Sequence, residues 1–309
     1  MNYPTEFINP AIQAALDDYN PAIAKVNYDA IEKLEVPDLP SNGLGATLEG
    51  ALGAHPDRFV PYFIVMNSMN FKFWELDENK QLQRYAYNGI VGALGMQTAF
   101  LKAWNDAYAE QEDVDCSEFV QSLSAAEVLR AKVEKNVVEF IFGNIPNAEQ
   151  RKNVLLEVLE ERRLRFACEH IMIRCESQGQ LDSLDAKFLA KLMPQGYGDR
   201  YLKKAQLTLM FIKGQWSETQ NTDIEIDVSV AADYQEPKVM RHTGAIEYSE
   251  QLAEIVRNLQ VIEPDSEYER AIRSATVLAG VAIAKRFNAK QFVVDTWLTN
   301  VAANLGYDR

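Results

Sequence analysis

A chain of 309 residues is long enough for one large domain, or two intimate ones, around a sizeable buried core. Its 47% hydrophobic and 25% charged residues make an ordinary soluble composition. The net charge of −14 and pI of about 4.8 argue against a duplex nucleic-acid binder, which needs clustered Lys and Arg, but leave room for a small nucleotide.

The opening MNYPTEFINP has neither a basic flank nor an apolar centre, so no signal peptide is expected and the cytosol is the expected compartment. No later stretch approaches about 18 uninterrupted apolar residues, so no membrane span is expected either. Residues 1–40 read as short helices interrupted by Pro21 and the Val36–Pro40 turn cluster. The small-residue stretch from Asn42 to Pro56 reads as loop around one short helix, with neither a dinucleotide fingerprint nor a phosphate loop. The apolar run Tyr62–Met66 fits a buried strand or a turn of buried helix equally well.

Asn70-Phe71-Lys72-Phe73-Trp74 then alternates, which predicts a strand with Asn70, Lys72 and Trp74 on one side and the two Phe rings on the other. Asp77–Lys80 would be its turn and Leu82–Tyr87 its partner. Three rings in four residues suit stacking on a flat base, and equally a core strand. Asn88-Gly89 leads into a predicted helix from Val91 to Tyr108, where Gly92 and Gly95 suggest close packing. Ser124, followed by Glu127, predicts a helix start with a capping box. A further helix is expected over 134–142. The longest follows, unbroken from about Asn147 to Cys175, with Leu155, Leu159, Phe166 and Ile173 as its inner face and Glu160–Arg163 as a solvated, self-paired run. Helices over 182–192, 200–212, 249–259, 268–286 and 289–304 complete a mainly α fold with a small β element. One globular unit over 1–309 is expected, a helical and β part (about 1–110) packed on a helical part (about 111–309).

Cys116, Cys168 and Cys175 fit no zinc or disulfide framework, and the last two, seven apart on a helix, read as buried small hydrophobes. His55 and His170 read as scattered or structural, while His242 lies near enough to Asp233 in sequence to be a site candidate. The segment Ile224–Tyr248 holds the strongest site signal. A short alternating strand (Ile224–Val228) leads to Ala231-Ala232-Asp233-Tyr234, a carboxylate flanked by small residues. A helix around Pro237 follows, ended by Gly244, and another begins near Ser249. By itself, an Asp before a helix is as well explained as a cap.

In order and spacing, several motifs resemble the queuosine salvage family of nucleotide N-glycosylases. Asn70-Phe71-x-Phe73-Trp74 resembles the family's NFxFW and Tyr87-x-Gly89 its YSG. Lys203-Lys204-Ala205-Gln206 resembles its lysine-rich helix, Ala232-Asp233-Tyr234-x-x-Pro237 its ADYRxPQ, and Gly244-x-x-x-Tyr248-Ser249-x-x-Leu252 its GxLxYSxxL. Ile272-Arg273 resembles its E-I-R-A. The resemblance spans about residues 55–305. It implies a helical architecture like that of helix–hairpin–helix DNA glycosylases, and cleavage of the N-glycosidic bond of queuosine 5′-monophosphate to release queuine, with no metal or cofactor.

On that resemblance Asp233 is the catalytic carboxylate, balancing charge on an oxocarbenium-like sugar. Phe71, Phe73 and Trp74 would wall in the base, and Asn67 and Asn70 would read its edge. Tyr234, Gln235 and His242 would line the site. Lys203 or Lys204 would hold the 5′-phosphate; being about 100° apart on a helix, only one of the two is expected to face the pocket. A small-molecule partner and a monomer are expected. The chain departs from the family pattern at Asn67 (an Asp in the family), Gln235 (an Arg), Ala271 (an acid), Thr299 (an aromatic) and the Ile90–Gly92 run, which leaves the base more open than the reaction.

Overall fold

Helical apolar periods dominate this chain, and its strands are too short to build a sheet that could carry a core. In the computed structural model, which describes residues 9–40, 52–79, 81–111, 117–135, 138–220 and 222–305, helices surround four two-stranded sheets. The first elements are α1 (Pro10–Asp18), β1 (Ala24–Val26), α2 (Tyr28–Glu32) and α3 (Pro56–Ser68). Two hairpins follow, β2 (Trp74–Leu76) with β3 (Leu82–Arg84) and β4 (Ala86–Tyr87) with β5 (Ile90–Val91), then α4 (Gly92–Ala109), α5 (Glu118–Glu134) and α6 (Val138–Phe142). The centre of the chain forms α7 (Ala148–Val158), α8 (Glu161–Ile173), β6 (Gln180–Asp182), α9 (Ser183–Leu192), α10 (Pro194–Tyr197) and α11 (Lys203–Thr219). The last part is β7 (Glu225–Asp227), α12 (Gln235–His242), β8 (Ile246–Tyr248), α13 (Glu250–Arg257), α14 (Glu267–Phe287) and α15 (Gln291–Asn304). No helix among the described residues is long and apolar enough to cross a membrane. Cys116 and most of the Asn42–Pro56 stretch lie outside the described residues.

The run Tyr62–Met66 is helix. All of α3 from Phe59 onward is buried, as expected of a helix that is apolar on every side, and it packs against α11, α8, α5 and α7. Its rings interlock with neighbouring helices: Phe63 lies 5.5 Å from Phe211 of α11, and Tyr62 stacks on Phe100 of α4 at 5.6 Å.

The predicted strand over 70–74 does not form. Asn70 N donates to Asn67 O and Phe71 N to Met69 O, extending the end of α3, and Lys72 takes φ +38°. Only Trp74–Leu76 pairs, antiparallel with Leu82–Arg84. The turn between them is held by Asp77, whose Oδ1 accepts from Asn79 N and Gln81 N. Asn88 and Gly89, both at positive φ, form the two-residue turn between β4 and β5. Gly95 is needed where α4 crosses that hairpin, because a Cβ there would sit 2.2 Å from Ile90 O. Gly95→Ala is therefore expected to cost about 3 kcal/mol, since backbone must move, seen as a lower urea midpoint with an unchanged slope.

Two helix boundaries differ from those predicted. Ser124 lies inside α5, which starts seven residues earlier with Ser117 Oγ accepting from Val120 N; the apolar period running through Leu123 and Ala126 overrides the local cap signal. The expected long helix breaks at Leu159–Glu160. The Glu160 carboxylate accepts from Arg162 N and Arg163 N and so starts α8 afresh. That break resets the helical phase. Phe166 and Ile173 end up more than half exposed, and Leu164, Ala167, Cys168 and Ile171 turn inward instead.

The buried apolar residues form two large clusters. One runs from Leu52 to Ala231 with Phe292; the other joins β1 and α2 to α12, β8, α14 and α15. The chain passes from the first cluster to the second near residue 230, and β1, pairing antiparallel with β8, carries the N-terminal residues onto the C-terminal helices. Residues 228–232 thread between them, with Val228 and Ala231 in the first cluster and Val230 in the second.

Candidate active site

A chain segment buried between two cores must find partners for its peptide groups away from water. Residues 229–232 find them in side chains from three helices. Gln206 of α11 accepts from Ser229 N (2.7 Å) and Ser229 Oγ (2.8 Å), and its own amide donates to Tyr201 O. Asp295 of α15 accepts from Ala231 N at 2.7 Å. Arg273 of α14 donates from Nε to Ala232 O at 3.1 Å. The backbone thus reaches Asp233 already fixed.

Asp233 does cap α12: its Oδ1 accepts from Gln235 N at 2.6 Å, and Glu236 Oε2 accepts from Asp233 N at 3.0 Å. This reciprocal pair leaves Oδ2 for Lys203, whose Nζ lies 3.3 Å away. The Asp233 side chain is 24% exposed, so solvent reaches it. Lys203 Nζ also donates to Asn70 O at 3.3 Å. Asp199 Oδ2 receives both Lys203 N and Arg273 Nη2, each at 2.7 Å, tying the start of α11 to α14.

The electrostatics follow from burial and this geometry. Loss of water opposes the charge on Asp233, but the Lys203 ammonium and the hydrogen bonds to its carboxylate hold it below the usual carboxylate range. Glu236 is 3% exposed; burial first, then repulsion from Asp233 and Asp295, pushes its carboxyl well above the usual range. Asp295, 1% exposed, is pushed up to about 7, chiefly by burial.

The two lysines do not diverge as their 100° offset suggested. Lys204 Nζ donates to Ser68 O at 2.8 Å, so both ammonium groups reach the carboxyl end of α3, where long flexible stems converge on free carbonyls. Burial, and then the charge on Lys203, lowers Lys204 to about 7. Its Nζ also lies 4.8 Å from the Phe71 ring, which Arg151 covers at 4.2 Å. Phe73 is a core ring against Tyr85, while Trp74 is half-buried at the hairpin, with Lys72 Nζ over it. Asn70 is buried beside Lys203, and Asn67, in the last turn of α3, is fully buried with neither amide atom hydrogen-bonded. Gln235 is half-buried and Tyr234 exposed, both next to Asp233. His242 is exposed at the opposite end of α12, about 12 Å along the helix, and is not brought to Asp233.

Arg151, Asp295 and Glu236 escaped the sequence reading. Asp295 did leave a trace, as a lone acid in the apolar run Phe292–Leu298, and Glu236 another, as the fourth residue of an Asp-x-x-Glu cap. Arg151 left none, because a charge in an amphipathic helix reads as solvated. Two surface cavities lie elsewhere. One of about 330 Å³ is lined by Arg130, Glu157 and Arg163, and one of about 420 Å³ by Asp182, Asp227 and Lys290. Neither contains Asp233 or Lys203, so buried charge, and not the roomiest depression, marks this site.

The model of the family described as queuosine salvage protein matches residues 52–302, a span that holds every group just described around Asp233. The chain is also similar to a queuosine 5′-phosphate N-glycosylase/hydrolase of Dictyostelium discoideum, with 25% identity over 230 residues. That alignment covers 70% of this chain but only 62% of the relative, less than two thirds of its length. With four-fifths of its length inside the family model, the chain belongs to the queuosine salvage protein family.

Proposed function

We propose that the protein hydrolyses the N-glycosidic bond of a modified nucleotide, with queuosine 5′-monophosphate as the substrate and queuine as the released base. The observation that carries this reading is Asp233, an ionised carboxylate fixed by buried backbone and open to solvent on one side. When the C1′–N bond breaks, its electron pair leaves with the base and positive charge builds on the ribose. A preorganised anion at that point stabilises the transition state more than the ground state. Water then adds to C1′. One of its protons passes through the Asp233 carboxylate, and the base nitrogen takes up one proton. Lys203 keeps Asp233 ionised between turnovers. Phe71 offers a face to the base, and Lys204, near neutrality, would gain its proton on meeting a 5′-phosphate.

The decisive experiment incubates the protein with a panel of modified nucleosides and their 5′-monophosphates and measures free base by mass spectrometry. Queuine release from the monophosphate is the expected result, and no base from any member of the panel would overturn the reading. A second reading, an N-glycosidase for another deazapurine or purine nucleotide, is favoured by Asn67. This amide has unmet donors and acceptor but no charge to pair with the secondary ammonium of queuine's side arm. Asn67→Asp is accordingly expected to raise kcat/KM for queuosine monophosphate about tenfold or more relative to an uncharged 7-deazaguanine nucleotide. Equal changes on both substrates would remove Asn67 as the selector and move attention to Gln235 or Ile90–Gly92.

A further inference from the structure

Three carboxyl groups meet where the 229–232 segment ends. Asp233 is open to solvent, while Glu236 and Asp295 are buried and each accepts a backbone N–H of the segment, from Asp233 and Ala231 respectively. The Glu236 carboxyl lies directly against Asp233, its Oε2 3.0 Å from Asp233 N, and is almost wholly shut off from water. The charged groups around them come from every neighbouring element. α11 supplies Lys203, in contact with Asp233, and α15 supplies Asp295. α14 supplies Arg273, whose guanidinium is bound to Asp199, Glu269 and Ala232 O. Ionising all three acids beside one ammonium would bury uncompensated charge.

We infer that Glu236 is a positioning residue that acts as a neutral acid. Its carbonyl oxygen holds the Asp233 N–H and, carrying no charge, it leaves Asp233 as the ionised member of the group, held in one orientation. The inference rests on the proposed reaction, in which Asp233 meets the sugar. Glu236→Gln keeps an acceptor and a donor but has no proton to lose, and Glu236→Ala removes both.

The test measures melting temperature and single-turnover base release for the parent and both variants between pH 5 and 9. An acid whose folded pKa is raised contributes stability that is fully present below its unfolded value, about 4.5, and is lost as pH rises through the folded value. The parent should therefore lose more stability toward pH 8 than Glu236→Gln, which retains only the loss carried by the raised Asp295 carboxyl. The Gln variant is expected to melt within about 2 °C of the parent at pH 5 and about 3 °C above it at pH 8. Its single-turnover rate at pH 6 should stay within about threefold of the parent and decline less on the alkaline side, whereas Glu236→Ala should lose about 30-fold in rate with little change in KM. A Gln variant that melts below the parent at pH 8, or loses as much rate as the Ala variant, would mean that the fold uses the charged carboxylate and would overturn the inference. If the parent releases no base from any nucleotide, the positioning role falls with the reaction, and the melting curves still decide whether Glu236 is neutral.

Discussion

Replacing Asp233 with Asn is expected to leave the protein folded and to slow base release at least a hundredfold. Asn keeps the shape and retains an oxygen to accept from Gln235 N, so α12 stays capped. What it removes is the charge opposite the developing oxocarbenium, and a hundredfold corresponds to about 2.7 kcal/mol, within the range for losing one preorganised electrostatic contact. Lys203 loses its ion partner but still donates to Asn70 O, and repulsion on Glu236 and Asp295 is relieved, so stability changes should offset. Single-turnover release and a thermal melt measure the two effects separately. Turnover within a few-fold of the parent would take Asp233 out of the chemistry. Because Asp233 holds its charge below the usual range, the acid-side loss of kcat/KM attributable to it should appear at a lower pH than an ordinary Asp would give.

Arg151→Met is expected to destabilise the protein strongly although it lies away from the reacting centre. This fully buried guanidinium donates to Pro146 O, Phe71 O and Lys72 O, and lies 4.2 Å from the Phe71 ring and 5.3 Å from that of Phe73. No carboxylate pairs with it among the described residues, and burial lowers it to about 10. Met fills much of the volume and needs no water, but it leaves three carbonyls without that donor at about 1–3 kcal/mol each before relaxation. The expected net loss is about 3 kcal/mol, read from the urea midpoint. Phe71 and the positive-φ Lys72 should loosen together, so KM should rise more than kcat falls. A loss under about 1 kcal/mol with KM unchanged would show that ring packing alone holds the segment.

What the sequence revealed and what it concealed divide along the range of the interactions. Caps and stops are local, so Ser249, Gly244 and the helix over 182–192 are legible, and so is the Asp233 turn before α12. The 70–74 segment misled because its alternation is real as a pattern, yet the carbonyls of residues 70–72 are taken by Lys203 and Arg151 instead of a neighbouring strand. The α7–α8 break turned on whether Glu160 capped or was solvated, and residue type alone favours neither. His242 was chosen by closeness in sequence, which a helix converts into distance. Glu236 and Asp295 take their character first from burial where α12 packs on α15, and no window along the chain contains both.

The pairing of β1 with β8 also sets an order of events during synthesis. Asn27 and Glu247, which hydrogen-bond beside that pairing, are 220 residues apart. While the ribosome is still making the first cluster, β1 and Ile31 have nothing to cover them, because Ile246, Ala275 and Ile283 do not yet exist. Contacts this distant in the chain close late and leave apolar surface open to chaperones in the meantime. The scaffold that fixes Asp233 is therefore among the last parts of the molecule to be completed, and a nascent chain halted before α14 would have a first core complete but for Phe292 and no fixed Asp233.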